Sequence, residues 1–211
     1  MGHYKDRHQA GEKLASLLNH YKNFSGGVVL GIPRGGVIVA SVVAQALNLP
    51  LEIVPVKKIG IPGNPEVALG ALAGGIEYLD KKAIKNFKVS DEYLEVQRAV
   101  QEREVRRREK LYQHQGEIQN FEFKTVIIVD DGIATGATTK AVISYAKSRG
   151  AATIIAAAPV SPEKVTADLK DMVDGVFCPL KINDEFFSVS NYYQKFEPVT
   201  DAEVLQILKD D

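Results

Sequence analysis

The chain has 211 residues, 45% of them hydrophobic, and its 26 Lys+Arg stand against 27 Asp+Glu for a formal net charge of −1. A chain longer than ~150 residues buries roughly two-thirds of its surface without disulfide or metal staples, and this balance excludes disordered and fibrous classes and nucleic-acid binders that work by bulk basicity. No apolar run approaches the ~20 residues of a membrane helix, the start MGHYKDRHQAGEK lacks a secretory pattern, and the lone Cys178 fits a reducing compartment, so one soluble cytoplasmic domain over residues 1–211 is expected.

In chain order, Leu14, Leu17 and Leu18 recur at helical spacing and predict a helix over residues 6–21. Residues 28–32 form a short apolar run ending in Pro33-Arg34-Gly35-Gly36, which reads as a buried strand and a tight loop. Residues 37–47 read as a buried helix stopped by Asn48-Leu49-Pro50, and residues 51–57 as a second strand. Strand, loop, helix and strand make a βαβ unit, for which a parallel sheet with a right-handed crossover is expected. Residues 59–79 hold five Gly and two Pro, which predicts a long loop with room for one hairpin. Residues 91–115 carry six acids and six bases at helical spacing. This long helix has a weak apolar stripe, and the pairs Arg98–Glu102, Glu102–Arg106 and Glu104–Arg108 would brace it. Its Arg106-Arg107-Arg108 run is offset by neighbouring acids and reads as a solvated face. Beyond it, residues 125–129 predict a strand, 136–149 a helix and 153–158 a strand. Ser161-Pro162-Glu163 reads as a helix start with Ser as cap and Pro at the first position. Residues 173–178 complete the pattern as a last strand, with Cys178 as a small buried hydrophobe.

Chemistry concentrates in Val126-Ile127-Ile128-Val129-Asp130-Asp131-Gly132-Ile133-Ala134-Thr135-Gly136-Ala137-Thr138. Four apolar residues deliver two adjacent carboxylates to the C-terminal end of a buried strand, where open α/β sheets bind ligands. The loop then supplies small residues and hydroxyls directly before a helix, whose N-terminal amides suit a phosphate. Acids beside a phosphate cradle make sense as acceptors for vicinal sugar hydroxyls, so the segment describes a ribose 5-phosphate pocket. A Walker loop is absent, since no Gly-Lys follows Gly136, and neither candidate strand is followed by G-x-G-x-x-G. The four His residues, at 3, 8, 20 and 114, show no ligand spacing.

These thirteen residues resemble the signature motif of the type I phosphoribosyltransferases. The resemblance extends through Gly31-Ile32-Pro33-Arg34-Gly35-Gly36, through Pro65-Glu66-Val67-Ala68-Leu69-Gly70-Ala71, and through residues 186–196. It implies an α/β fold with a mostly parallel central sheet flanked by helices, a flexible loop at about 59–79 and a small C-terminal hood at about 181–200. It also implies 5-phosphoribosyl 1-pyrophosphate (PRPP) and Mg²⁺, the ion held mainly through substrate oxygens and water rather than by dedicated protein ligands. Asp130 and Asp131 would hold the ribose hydroxyls, with Asp131 assisting the base or the developing charge. Gly132, Ala134, Thr135, Gly136, Ala137 and Thr138 would surround the 5-phosphate. Pro33, Arg34, Gly35 and Gly36 would form the pyrophosphate loop, with Arg34 catalytic and one of Lys57 and Lys58 facing pyrophosphate. The alternative for Gly35-Gly36 is a plain helix-entry turn. Residues 59–79 would be a lid that excludes water, in which Glu66 has no assignable role. The hood offers Phe186, Phe187, Tyr192 and Tyr193 to a planar acceptor, with Phe196 nearby; the competing reading is a satellite core. The partners implied are small molecules, PRPP and an unknown nitrogen nucleophile, with no membrane or nucleic acid and a homodimer left open. Alternatives are a non-catalytic PRPP- or nucleotide-sensing regulator and a ribose-phosphate hydrolase.

Overall fold

The computed structural model describes residues 3–112, 120–184 and 187–210, and for residues 65 and 66 the backbone alone. His114, Phe186, the side chain of Glu66 and the end of the predicted long helix lie outside the described residues. The chain runs through α1 (Arg7–Leu17), β1 (Gly27–Gly31), α2 (Gly35–Leu47), β2 (Leu51–Ile53), β3 (Val56–Ile61), β4 (Asn64–Ala73), β5 (Ile76–Leu79), α3 (Lys81–Asn86) and α4 (Asp91–Tyr112). It continues through β6 (Thr125–Val129), α5 (Ala137–Ser148), β7 (Thr153–Ala157), β8 (Val160–Pro162), α6 (Glu163–Lys170), β9 (Gly175–Phe177), β10 (Leu180–Ile182) and α7 (Asp201–Asp210).

Five strands form the central sheet in the order β2-β1-β6-β7-β9. Every neighbouring pair in it is parallel, the mostly parallel sheet expected. β1 and β6 are buried along their whole length because both sheet faces are covered. Side chains alternate across a strand. Val28, Leu30, Val126 and Ile128 therefore pack on the α5 side, while Val29, Ile127 and Val129 pack against α1 and α2. α1 starts where the Asp6 carboxylate accepts from Gln9 N, and α2 ends at Asn48, whose φ of 53° is the left-handed turn that terminates helices. Among the described residues, no helix is long and apolar enough to cross a membrane.

The predicted strand at 51–57 breaks into two. Val54 N makes a last bond to Gly31 O at 3.4 Å; Pro55 has no amide to continue the ladder, and the chain leaves the central sheet there. Residues 59–79, expected as a loop, are instead part of an antiparallel meander, β3-β4-β5. Gly74 and Gly75, counted as irregularity, form its two-residue turn with φ of 52° and 80°, the conformation a tight hairpin requires. One meander face, with Ile59, Leu69 and Leu72, packs on Leu94 and Val105 of α4; the other, with Val56, Ala71 and Ala73, joins the α5 core. α4 is thus anchored along its weak stripe. Arg98 does not pair with Glu102 but donates to both carboxylate oxygens of Glu77 on β5, at 2.9 and 3.0 Å. The pairs Arg106–Glu102 (3.9 Å) and Arg108–Glu104 (3.0 Å) do form. Ser161 is not a helix cap: it belongs to β8, which pairs in parallel with β10, and α6 begins after Pro162. The Cys178 thiol is buried, and burial pushes its pKa up to about 11.

Ile59, fully buried in the meander–α4 interface, supplies a test of that anchoring. Ile59→Ala is expected to cost about 2–5 kcal/mol in urea denaturation, whereas Val96→Ala on the exposed face of α4 should change stability by less than about 0.5 kcal/mol.

Candidate functional site

From β1 the chain crosses to β2 on one side of the sheet, and from β6 it crosses to β7 on the other. The boundary between β1 and β6 is therefore a topological switch point, the place where open α/β sheets bind ligands beyond the strands' carboxyl ends. The loops that follow the two strands meet there, tied by Ile32 N donating to Val129 O at 3.0 Å. The Pro33–Arg34 peptide is cis. A Cβ on Gly36 would lie 2.7 Å from Asp130 Oδ1, and one on Gly35 would collide with the Asp131 carboxylate. Gly35-Gly36 is thus more than a helix-entry turn: the absence of side chains lets one loop lie directly against the two acids.

The acids differ in environment. Asp131 N donates to Asp130 Oδ1 at 2.8 Å. Burial raises the Asp130 pKa well above the ordinary carboxylate range, and the Asp131 charge raises it further, against the backbone bond and the charge of Lys58. Asp131 is held by Arg7, whose Nε donates to Oδ2 at 2.8 Å. Tyr193 closes the pair from the other side, its hydroxyl donating to Asp131 O at 2.6 Å.

Strand alternation separates the two lysines. Lys58 pairs with Ala71 and shares the face of Val56, toward α5 and Asp130; Lys57 pairs with Leu72 on the α4 face. Lys57 Nζ lies 3.9 Å from Glu104, and burial followed by the Arg108 charge lowers its pKa. Arg34, assigned to pyrophosphate, reaches instead toward α7, with Nη1 3.8 Å from Asp201 Oδ1. Asp201 also accepts from the Tyr112 hydroxyl and from Arg107 Nη2, the latter at 3.4 Å. The contacts of Arg34 are therefore with α7, not with the acid pair.

The segment read as a phosphate cradle lies at the start of α5. Gly136 precedes the helix with φ 76°, a conformation in which a side chain is strained. Thr135 Oγ1 accepts from Ala137 N at 3.4 Å, and the N–H groups of Ala134, Thr135 and Gly136 donate to no described residue. Gly132 lies under Val189 of the C-terminal segment, too close for a Cβ. That segment behaves as the satellite core: Tyr193 is 6% exposed and packs with Tyr4, Val160, Phe187, Tyr192 and Phe196. Tyr193 is thereby removed as a stacking surface for an acceptor, since its ring is enclosed and its hydroxyl committed. Phe187 and Tyr192 stack on each other at 5.3 Å and keep partial exposure.

Arg7 is a residue that the sequence reading does not reach, although a signal exists. It falls in register with Ala10, Gly11 and Leu14 on the buried face of α1, and a charge on an apolar helix face requires a partner. Among the described residues, no group of three or more His, Cys, Asp or Glu is arranged to hold a metal.

An open parallel sheet with an acid pair and a helix start beside its switch point defines a doubly wound α/β protein. The model of the phosphoribosyl transferase domain matches residues 2–195, and the chain belongs to that family. A Mycobacterium tuberculosis protein carrying the provisional name phosphoribosyl transferase is 34% identical over 206 residues, 97% of this chain. The chain spans about half the length of such curated relatives, 46% in this case. The crystal structure of TT1426 from Thermus thermophilus is 37% identical, with coverage of 100% and 99% of the two chains and a TM-score of 0.78. A Neisseria gonorrhoeae protein solved with bound ppGpp shares the fold at 13% identity, covering 99% and 96% of the two chains with a TM-score of 0.50.

The raised Asp130 pKa has a consequence for stability. A carboxyl that binds its proton more tightly when folded opposes folding at neutral pH, and this penalty vanishes once pH falls to the unfolded value near 3.8. Asp130→Asn is therefore expected to stabilise the ligand-free protein at pH 7, with the gain shrinking toward pH 4. Thermal unfolding across that range measures it.

Proposed function

We propose that the chain is a phosphoribosyltransferase that moves the 5-phosphoribosyl group of PRPP onto a nitrogen nucleophile, a nucleobase or a similar base, and releases pyrophosphate. The observation that carries this reading is the juxtaposition, at one switch point, of an acid pair for a sugar diol and free helix-start amides for a phosphate. Family membership supports it. The ribose 5-phosphate would sit on Ala134–Thr138 with its hydroxyls toward Asp130 and Asp131, and Gly132 would leave room for the hood above. Pro33, Gly35 and Gly36 would line the pyrophosphate side.

The reaction breaks the bond from C1 to the pyrophosphate oxygen, whose electron pair departs with pyrophosphate. The acceptor nitrogen supplies the pair for the new bond to C1 and sheds a proton. The residues of the cleft act by holding ribose and phosphate in line and by placing carboxylate charge beside the ribose as positive character develops at C1. Lys58 is the assigned basic group for the leaving pyrophosphate, on the strength of its strand face and its field at Asp130. Lys57 is assigned to the α4 network. Arg34 would have to leave Asp201 to reach a phosphate. When bound with the substrate, Mg²⁺ would supply charge neutralisation of the leaving group. The residues fit an ion brought in with the substrate: Asp130 and Asp131 would be the hard oxygens beside it, and Arg7 already engages Asp131, so among the described residues no carboxylate cage is arranged for it. Phe187 and Tyr192 are the described hood residues assigned to the acceptor.

Isothermal titration with Mg-PRPP, followed by pyrophosphate release across purines, pyrimidines and other nitrogenous acceptors, tests the proposal. Binding that Asp130→Asn/Asp131→Asn abolishes, with release dependent on one acceptor class, is expected. Binding without release under any acceptor favours a sensor, and release without an acceptor favours a hydrolase. Lys58→Ala should weaken Mg-PRPP binding by about tenfold, the loss of one hydrogen bond to a charged group, and Lys57→Ala by less than about threefold.

A further inference from the structure

Arg7 belongs to neither cleft loop, yet its guanidinium makes one contact with the acid pair and two with the C-terminal segment. Nε donates to Asp131 Oδ2 at 2.8 Å, Nη1 donates to the backbone oxygen of Glu197 at 2.9 Å, and the guanidinium carbon lies 3.8 Å from the Phe196 ring centroid. The Arg7 and Asp131 side chains are 9% and 14% exposed. A buried ion pair of this kind is weak as a source of stability, because desolvating both ions offsets most of their attraction. Its geometry is another matter. The guanidinium fork is planar and always charged, so one end fixes Asp131 while the other is fixed by the hood residues Phe196 and Glu197. Gly35 completes the arrangement: a Cβ there would lie 2.9 Å from Arg7 Nε as well as colliding with Asp131. Electrostatics points the same way. A polyanionic ligand approaching Asp131 meets a carboxylate whose charge is already balanced by a buried cation.

We propose that Arg7 is a positioning residue for sugar-diol recognition. It holds Asp131 in one orientation, cancels that carboxylate's repulsion of the phosphates, and joins the acid pair to the hood, so that binding at one is felt at the other. This inference rests on the phosphoribosyl reading given above. Arg7 acts through Asp131 and does not itself contact the ligand.

The test is a double-mutant cycle read by isothermal titration with Mg-PRPP and by thermal unfolding. Arg7→Met is expected to weaken binding by about 10- to 100-fold, the range for a lost hydrogen bond to a charged group, and Arg7→Lys to recover part of the loss. Arg7→Met strands a buried carboxylate, so the decisive comparison is made in the Asp131→Asn background, where that strain is absent. There Arg7→Met should change the affinity by less than about threefold, and the double variant should unfold at a higher temperature than Arg7→Met alone. A purely structural arginine predicts parallel losses in both backgrounds. Wild-type-like binding by Arg7→Met, or a further tenfold loss in the Asp131→Asn background, overturns the proposal. Failure of the wild-type protein to bind Mg-PRPP overturns the phosphoribosyl reading, and this inference falls with it.

Discussion

Gly35 and Gly36 lie so close to Asp131 and Asp130 that neither position has room for a side chain, and the layout of the cleft follows from that contact. The parallel pairing of β1 with β6 brings the two loops to the same edge of the sheet, but only side-chain-free residues allow them to touch. The contact helps to bury Asp130, and burial is the main cause that raises its pKa. It also leaves Asp131 one direction in which to find a counter-charge, toward α1. Side chains at these two positions would have held the two loops apart.

Much of this is legible in the chain itself. Periodicity places the central strands and flanking helices to within a few residues, because β1 and β6 are continuous apolar runs and α2 and α5 follow tight glycine loops. The acid pair and cradle are legible because their chemistry is local, confined to thirteen consecutive residues. The meander escapes such a reading because its signal is mixed: Pro62, Pro65 and five glycines resemble a loop, while the turn glycines and the apolar positions on both faces make sense only once α4 and α5 cover them. Arg7 escapes for a different reason. Its partner is 124 positions away, and nothing local to it names an acid. The hood reads as an acceptor surface because five aromatic rings cluster in sequence, yet clustering does not reveal which rings are turned inward. Tyr193 is enclosed because Tyr4, from the opposite end of the chain, packs against it with ring centroids 5.4 Å apart.

A net charge of −1 looks unsuited to the polyanionic ligand proposed above until the charges are placed. Glu104, held down to about 2 mainly by its bond from Arg107, and Asp201, lowered mainly by the Tyr112 hydroxyl, occupy the bases of α4 and the first loop. Arg7 is occupied by Asp131. Arg7, Arg34 and Lys57 are therefore matched by acids, and backbone amides, which carry no net charge, are left beside Lys58 as donors near the acid pair. Attraction of this kind depends on short-range geometry and is less exposed to screening by salt than a field of surface lysines would be.

The exit of the chain from the central sheet at Pro55 bears on Lys58. Beyond that proline, the meander is joined to the rest of the fold by packing rather than by a ladder of backbone bonds. The separation of the meander's Lys58 face from α5 is thus set by the side chains packed between them, among them Ala71, Ala73 and the Tyr145 ring that lies against Gly74. A hydrogen-bond ladder would have fixed that separation in whole-residue steps. Here the strength of the cation's field in the crevice is graded by the size of uncharged residues some distance from it, and a change of volume in an apolar layer becomes a change of electrostatics at the acids.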